Sequence, residues 1–324
     1  MRKAFFISLA LVFAFILAEI IVRFVLSYPA YGVESSILGI PYRGKELTYK
    51  PHSKYWNVEG GNNIFSRNNI GLNGIDVNDI QTSKNIFVLG NSFIKASEVS
   101  PELMATSVFQ KQLADLGNNY RVLNLGFYSH DPYQLYFLSE FFKRKYQPET
   151  VILVIERDYG AWLSGYEHPL NFNLPADFGN EESGLKFKLA TYIRNSSSFV
   201  NLLASALKLS SAGNNGSQTE ETPDEDNLLT KGVVKLPEEL KTTILEFQKA
   251  YGTKFLLVSI IPQDSLNKEL MGFCSVNKIN CFTDSQIMIK TNRLNQNGHL
   301  NEAGNKLLGE KLYEFYKEYL RINK

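Results

Sequence analysis

Val151-Ile152-Leu153-Val154-Ile155 is an unbroken apolar run between Thr150 and Glu156. A strand with one wet face alternates apolar with polar residues, so a continuous run marks a strand covered on both faces, as in a parallel sheet between helices. Ile86 to Leu89 is a second fully apolar run, and Arg121 to Leu125 and Phe255 to Ile261, the last closed by Pro262, read as further strands, with Ile279 to Phe282 as a shorter fifth. Amphipathic stretches separate them: Pro101 to Leu116, Pro132 to Lys145 and Leu236 to Ala250, with Asn301 to Leu320 at the end. Repeated strand-helix units predict an α/β fold, a three-layer αβα flavodoxin-like domain built on a parallel sheet.

The N-terminus lies outside that pattern. After Met1-Arg2-Lys3, residues Ala4 through Val22 are apolar except Ser8 and Glu19. This is about the length a membrane-spanning helix needs, whereas a cleavable signal peptide has an apolar stretch of about 7–15 residues. The run continues past the weak cleavage site Ile16-Leu17-Ala18, so one uncleaved transmembrane anchor is expected. Arg2, Lys3 and the amino terminus favour a cytoplasmic start, opposed by Arg23. The rest of the chain then faces the periplasm or exterior of a bacterial cytoplasmic membrane. Lysine and arginine number 34 against 33 acids, a net charge of +1, which offers no electrostatic case for nucleic acid.

The expected divisions are an anchor at 1–25, a juxtamembrane segment at 26–83 and the main domain at 84–324. An insertion at about 160–235 splits the domain. Its first part, Leu185 to Leu209, reads as helical and apolar enough to serve as a lid. Residues 210–230 are polar and acidic and read as a flexible loop. Cys274 and Cys281 bracket one short segment, and either a disulfide or two buried thiols fits them. No P-loop, dinucleotide fingerprint or zinc spacing occurs, so no cofactor or metal is expected.

The chemistry gathers where apolar runs end. Asn85-Ile86-Phe87-Val88-Leu89 stops at Gly90-Asn91-Ser92, which would place a hydroxyl at the carboxyl edge of the sheet, where open α/β sheets bind ligands. Serine is a poor nucleophile until a base takes its proton, and His299, just before the last helix, can be that base. Taken singly, the two segments read as a tight turn and an ordinary helix entry.

Together, Gly90-Asn91-Ser92-Phe93, Val122-Leu123-Asn124-Leu125-Gly126, Val151 through Asp158, and Gln296-Asn297-Gly298-His299 resemble, in order, the four blocks of the SGNH or GDSL-type hydrolase superfamily. The chain is similar to a divergent membrane-anchored bacterial member over roughly residues 84 to 321. It departs from the family pattern at Asn91 and Gln296, where the family has aspartate, and at Arg157, where it has asparagine. Asn68 to Gly74 is similar to a segment preceding the nucleophile block in anchored relatives, with no chemistry assigned to it. The resemblance implies Ser92 as nucleophile, His299 as base, and an oxyanion hole from the N–H groups of Ser92 and Gly126 with the Arg157 side chain. Gln296 is placed to orient the histidine without charge, Asp284 is another candidate acid, and a backbone carbonyl would leave a Ser-His dyad. Asn91 and His130 are candidate substrate contacts.

The expected function is an anchored, extracytoplasmic serine ester hydrolase or acyltransferase acting on an acylated carbohydrate or lipid of the cell envelope. The alternative is a catalytically degenerate domain of the same fold that binds an envelope glycan or an assembly partner protein. A tethered flavodoxin-like domain unrelated to the family is a third reading.

Overall fold

The computed structural model describes residues 2–30, 32–37, 46–57, 63–77, 84–117, 119–128, 130–165, 170–173, 185–214, 235–294 and 298–322. Helix α1 (Arg2–Ile20) continues into a π-helical turn, Ile21–Val25. At 1.5 Å per residue it spans about 28 Å, close to the roughly 30 Å of a bilayer's hydrocarbon core. Its large apolar side chains are exposed, and Arg2–Val25 has the length and composition of a membrane anchor or a signal sequence. Strands β1 (Val33–Ile37) and β2 (Glu46–Tyr49) pair antiparallel, as do β3 (Lys54–Asn57) and β4 (Asn63–Ser66).

The main domain starts at β5 (Lys84–Gly90), followed by the single turn α2 (Ser92–Lys95) and by α3 (Ala105–Gln112). Then come β6 (Tyr120–Gly126), α4 (Pro132–Tyr146), β7 (Pro148–Ile155) and the short α5 (Gly160–Leu163). Helix α4 begins where it does because Asp131 and Gln134 form a reciprocal capping box with proline at the first helical position. Helices α6 (Leu185–Ser196) and α7 (Ser198–Asn214) belong to the insertion. Helix Glu238–Tyr251, β8 (Phe255–Ser259), helix Asp264–Val276, β9 (Asn280–Thr283) and helix Glu302–Ile322 complete the chain.

The sheet order is β6-β5-β7-β8-β9, parallel throughout. Counted in chain order this is 2-1-3-4-5, the flavodoxin-like arrangement, whose ligand crevice lies where the order reverses. Strand residues divide between the faces with period two. Phe87, Leu89, Leu153 and Leu257 pack with α4 and the helices Glu238–Tyr251 and Asp264–Val276. Ile86, Val88, Ile152 and Val258 pack with α3 and Glu302–Ile322. The continuous apolar runs are therefore needed because neither face meets water.

Several expectations change at this level. Helix Asp264–Val276 went unread between Pro262 and the last strand, although Leu266, Leu270 and Cys274 form its buried stripe. Cys274 and Cys281 are free thiols, not a disulfide. The neighbouring Cys274 side chain, together with burial, pushes the Cys281 thiol on β9 well up. The segment read as a lead-in packs on the domain: Asn73 bridges to Asn124 on the edge strand β6, and its Nδ2 donates to the Lys95 carbonyl at 3.1 Å. Helix α7 extends to Asn214, into the stretch expected to be a loop; residues 215–234 lie outside the described residues.

The helix pair α6–α7, read as a lid, is hydrogen-bonded to the end of α1 and to Pro29 beyond it. The Glu19 carboxylate accepts from Ser197 Oγ at 2.7 Å, Ser198 N at 3.0 Å and Phe199 N at 2.9 Å, while Ser197 Oγ accepts from Val200 N at 3.0 Å. These are the first N–H groups of α7, which no carbonyl within the helix can reach. Glu19→Ala strips that cap, and caps of this kind contribute about 0.5–2 kcal/mol. Amide hydrogen exchange across 197–202 is expected to accelerate in the variant, with exchange in β5 and β7 unchanged.

Candidate active site

Strand β5 delivers Ser92 to the carboxyl edge of the sheet, beside the end of β7 and thus at the point where the strand order reverses. Gly90 and Gly126 lie side by side at the ends of β5 and β6. A Cβ at 126 would lie 2.1 Å from Lys95 N and 2.5 Å from the Ile94 carbonyl carbon. Glycine is required there because α2, the turn that presents Ser92, rests directly on it. Gly126→Ala is expected to cost at least the 1–3 kcal/mol or so typical of overpacking. At about 2–4 °C per kcal/mol for a domain of this size, the Tm of the full chain in detergent falls by several degrees.

His299 comes from the opposite end of the chain. Gly298 precedes it with φ +68°, and the backbone folds back so that Leu294 N donates to His299 O at 2.7 Å. Asn301 Oδ1 accepts from Gly304 N at 3.0 Å and starts the last helix. The imidazole Nε2 stands 2.8 Å from Ser92 Oγ. Phe93 and Tyr128 flank the ring, with centroids 5.4 and 6.2 Å away.

Behind the ring lies a carboxylate absent from the sequence reading. Glu98 Oε1 is 3.7 Å from His299 Nδ1, and the Glu98 side chain is 1% exposed. Tyr128 OH donates to the same oxygen at 3.1 Å, and Lys95 Nζ lies 3.8 Å from the centre of the Tyr128 ring. At 3.7 Å the separation is longer than a hydrogen bond, and the two groups attract as an ion pair only when the ring is protonated. The buried carboxyl group lies on the side of the imidazole away from the serine.

The other expected site residues have different duties. Asn91 is buried: its Oδ1 accepts from Phe93 N at 3.1 Å and its Nδ2 donates to Glu156, so it shapes the turn. The Gly126 N–H, expected as an oxyanion donor, donates to Asn124 Oδ1 at 2.9 Å. Asn124 Nδ2 reaches Ile94 O at 2.8 Å and Thr106 Oγ1 at 2.9 Å, tying β6 to α2 and α3. Ser92 opens α2, so its own N–H has no intrahelical acceptor.

Arg157, also expected at the oxyanion, directs Nε to Glu156 Oε1 at 3.0 Å. Glu156 is buried and accepts from Tyr159 OH on both oxygens, at 2.7 and 2.6 Å. Burial pushes its carboxyl above the usual range, against the pull of Arg157 and Tyr159. Burial, with Glu156 beside it, keeps Tyr159 protonated. His130 is buried with Nδ1 2.7 Å from Tyr128 O, bracing the loop that carries Tyr128. Asp284 lies beyond β9, where its Oδ1 accepts from Gln286 N at 2.9 Å and caps a short turn. Gln296 lies outside the described residues.

Fold and site together define a class: a parallel αβα domain with a serine-histidine pair at the crevice of its sheet. No protein-family profile matches the chain, and no curated relative matches it in sequence. Among solved structures it is similar to one described as TesA, at 14% identity and a TM-score of 0.43, covering 73% of this chain and 99% of that one. It is also similar to a psychrotrophic esterase, EstA, from Pseudoalteromonas sp., at 11% identity and a TM-score of 0.41, covering 74% and 100%. A third is an acetyl xylan esterase, AlAXEase, at 15% identity and a TM-score of 0.37, covering 71% and 98%.

Proposed function

We propose that this chain is an SGNH-type serine ester hydrolase or acyltransferase, held in a bacterial cytoplasmic membrane by α1 and acting outside it on an acylated envelope carbohydrate or lipid. The observation that carries the reading is the 2.8 Å approach of His299 Nε2 to Ser92 Oγ across the whole length of the domain. Ser92 Oγ attacks the acyl carbonyl as His299 Nε2 takes its proton. The tetrahedral intermediate collapses to an acyl-serine, and the same proton passes to the leaving alcohol. Water, or a sugar hydroxyl, then gives a proton to His299 as it attacks the acyl-serine, and the ring passes that proton to Ser92 Oγ as the acyl group departs, restoring both residues. During each transfer the ring becomes an imidazolium, which needs a negative charge behind it.

Glu98 supplies that charge, in place of the aspartate that position 296 lacks. Its burial strengthens the electrostatic attraction. Catalytic hydrogen bonds are often long without substrate and tighten when it binds, so a 3.7 Å separation suits the role. The contacts of Glu19 and Phe15 with the start of α7 support an anchor retained in the mature protein, since they tie the end of an otherwise exposed α1 to the insertion.

The alternative, a non-catalytic domain binding an envelope glycan or partner protein, draws on the engagement of the Gly126 N–H and of Arg157 Nε within the fold. Hydrolysis of p-nitrophenyl acetate by the full chain in detergent separates the two. Turnover by the wild type and none by Ser92→Ala supports the hydrolase. Equal background rates from two well-folded proteins, with the cellular phenotype of Ser92→Ala intact, would favour the binding domain.

A further inference from the structure

We infer that the helix pair α6–α7 lies on the surface of the phospholipid bilayer, its apolar row sunk into the boundary between headgroups and acyl chains. The inference rests on the reading of α1 as a membrane anchor and adds a second, independent membrane contact.

Leu185, Leu189, Tyr192 and Ile193 fall at i, i+4, i+7 and i+8, on one face of α6. Such a stripe ordinarily faces a core, yet these four side chains are between 42% and 83% exposed. Leu203 and Leu207 on α7 are exposed as well. An exposed apolar row of this kind marks an interaction site. The surrounding charge selects the partner. From Leu185 through Asn214 the chain contains Lys186, Lys188, Arg194 and Lys208 and no aspartate or glutamate. One apolar face with cations and no acids is the composition of a helix lying in a membrane interface.

Position supports the same occupant. Glu19 caps α7, the Arg23 guanidinium reaches Ser196 O at 2.9 Å, and the Phe15 and Phe199 rings meet edge to face at 5.6 Å. Glu19 lies about 26 Å along the helix from Arg2, near the far boundary of a roughly 30 Å hydrocarbon core. The start of α7 is therefore fastened at the depth where acyl chains give way to headgroups. A carboxylate that would otherwise seek water there is satisfied by serine and backbone donors.

The test places photoreactive benzoylphenylalanine singly at positions 13, 189, 192 and 245 of the full chain, in vesicles of phosphatidylcholine and phosphatidylglycerol. Illumination is followed by mass analysis for lipid adducts. Adducts at 13, 189 and 192, several-fold above those at 245 on the domain surface, are expected. Adducts at 13 with only background at 189 and 192 would overturn the surface contact and leave the anchor standing, as would crosslinks from 189 to a protein. Background yield at 13 would overturn the anchor reading beneath it.

Discussion

His299→Ala is expected to lower kcat for ester cleavage by about 10⁶-fold, the scale of loss when the serine or histidine of a cooperating pair is removed. The reason is the single 2.8 Å contact through which the hydroxyl can lose its proton. Because the two residues act as one unit, Ser92→Ala and the double variant should be no slower than His299→Ala. Steady-state rates of the three proteins on p-nitrophenyl acetate check this. Losses that multiply in the double variant would mean that the two side chains act independently, contrary to the proposed proton transfer. The ring's supports are van der Waals contacts with Phe93 and Tyr128, so the alanine variant should keep the stability of the wild type to within a few degrees.

Glu98→Gln is expected to lower kcat by about 10⁴-fold with little change in KM, the loss seen when the acid of a serine-protease triad becomes an amide. Glutamine keeps the volume and removes the charge facing His299 Nδ1. Glu98→Asp keeps the charge on a shorter arm and should retain more activity than Glu98→Gln. A purely structural role predicts another pattern, in which both variants lose Tm and rate together and the aspartate shows no advantage. Measuring kcat, KM and Tm for both proteins distinguishes these outcomes. Tyr128 OH, the donor at 3.1 Å to Glu98 Oε1, fixes the carboxylate on its buried side.

The strands were legible because being buried on both faces leaves a mark that few other structures share. Val151 to Ile155 and Phe255 to Ser259 could scarcely have been solvent-facing. Ser92 and His299 stood out as a pair only through the order of the four blocks that resemble the family, since each segment alone reads as a tight turn or a helix entry. Glu98 was not legible, because nothing in Ser97-Glu98-Val99 distinguishes a buried carboxylate from an exposed one; its role depends on Tyr128 and His299 arriving from elsewhere. Asn124 sat unnoticed inside an apolar strand although it joins β6 to both neighbouring helices. The position of Arg157 in the chain suggests the oxyanion, and its Nε donates to the adjacent buried Glu156. Helix Asp264–Val276 escaped because the proline before it resembled a stop and the buried stripe of Leu266, Leu270 and Cys274 is narrow.

The most direct measurement treats the full-length protein with a fluorophosphonate and weighs its peptides. A covalent phosphonyl adduct on the peptide holding Ser92, absent from Ser92→Ala and strongly reduced in His299→Ala, is the expected result. An adduct on another residue, or none on a folded protein, would contradict an activated serine at the end of β5.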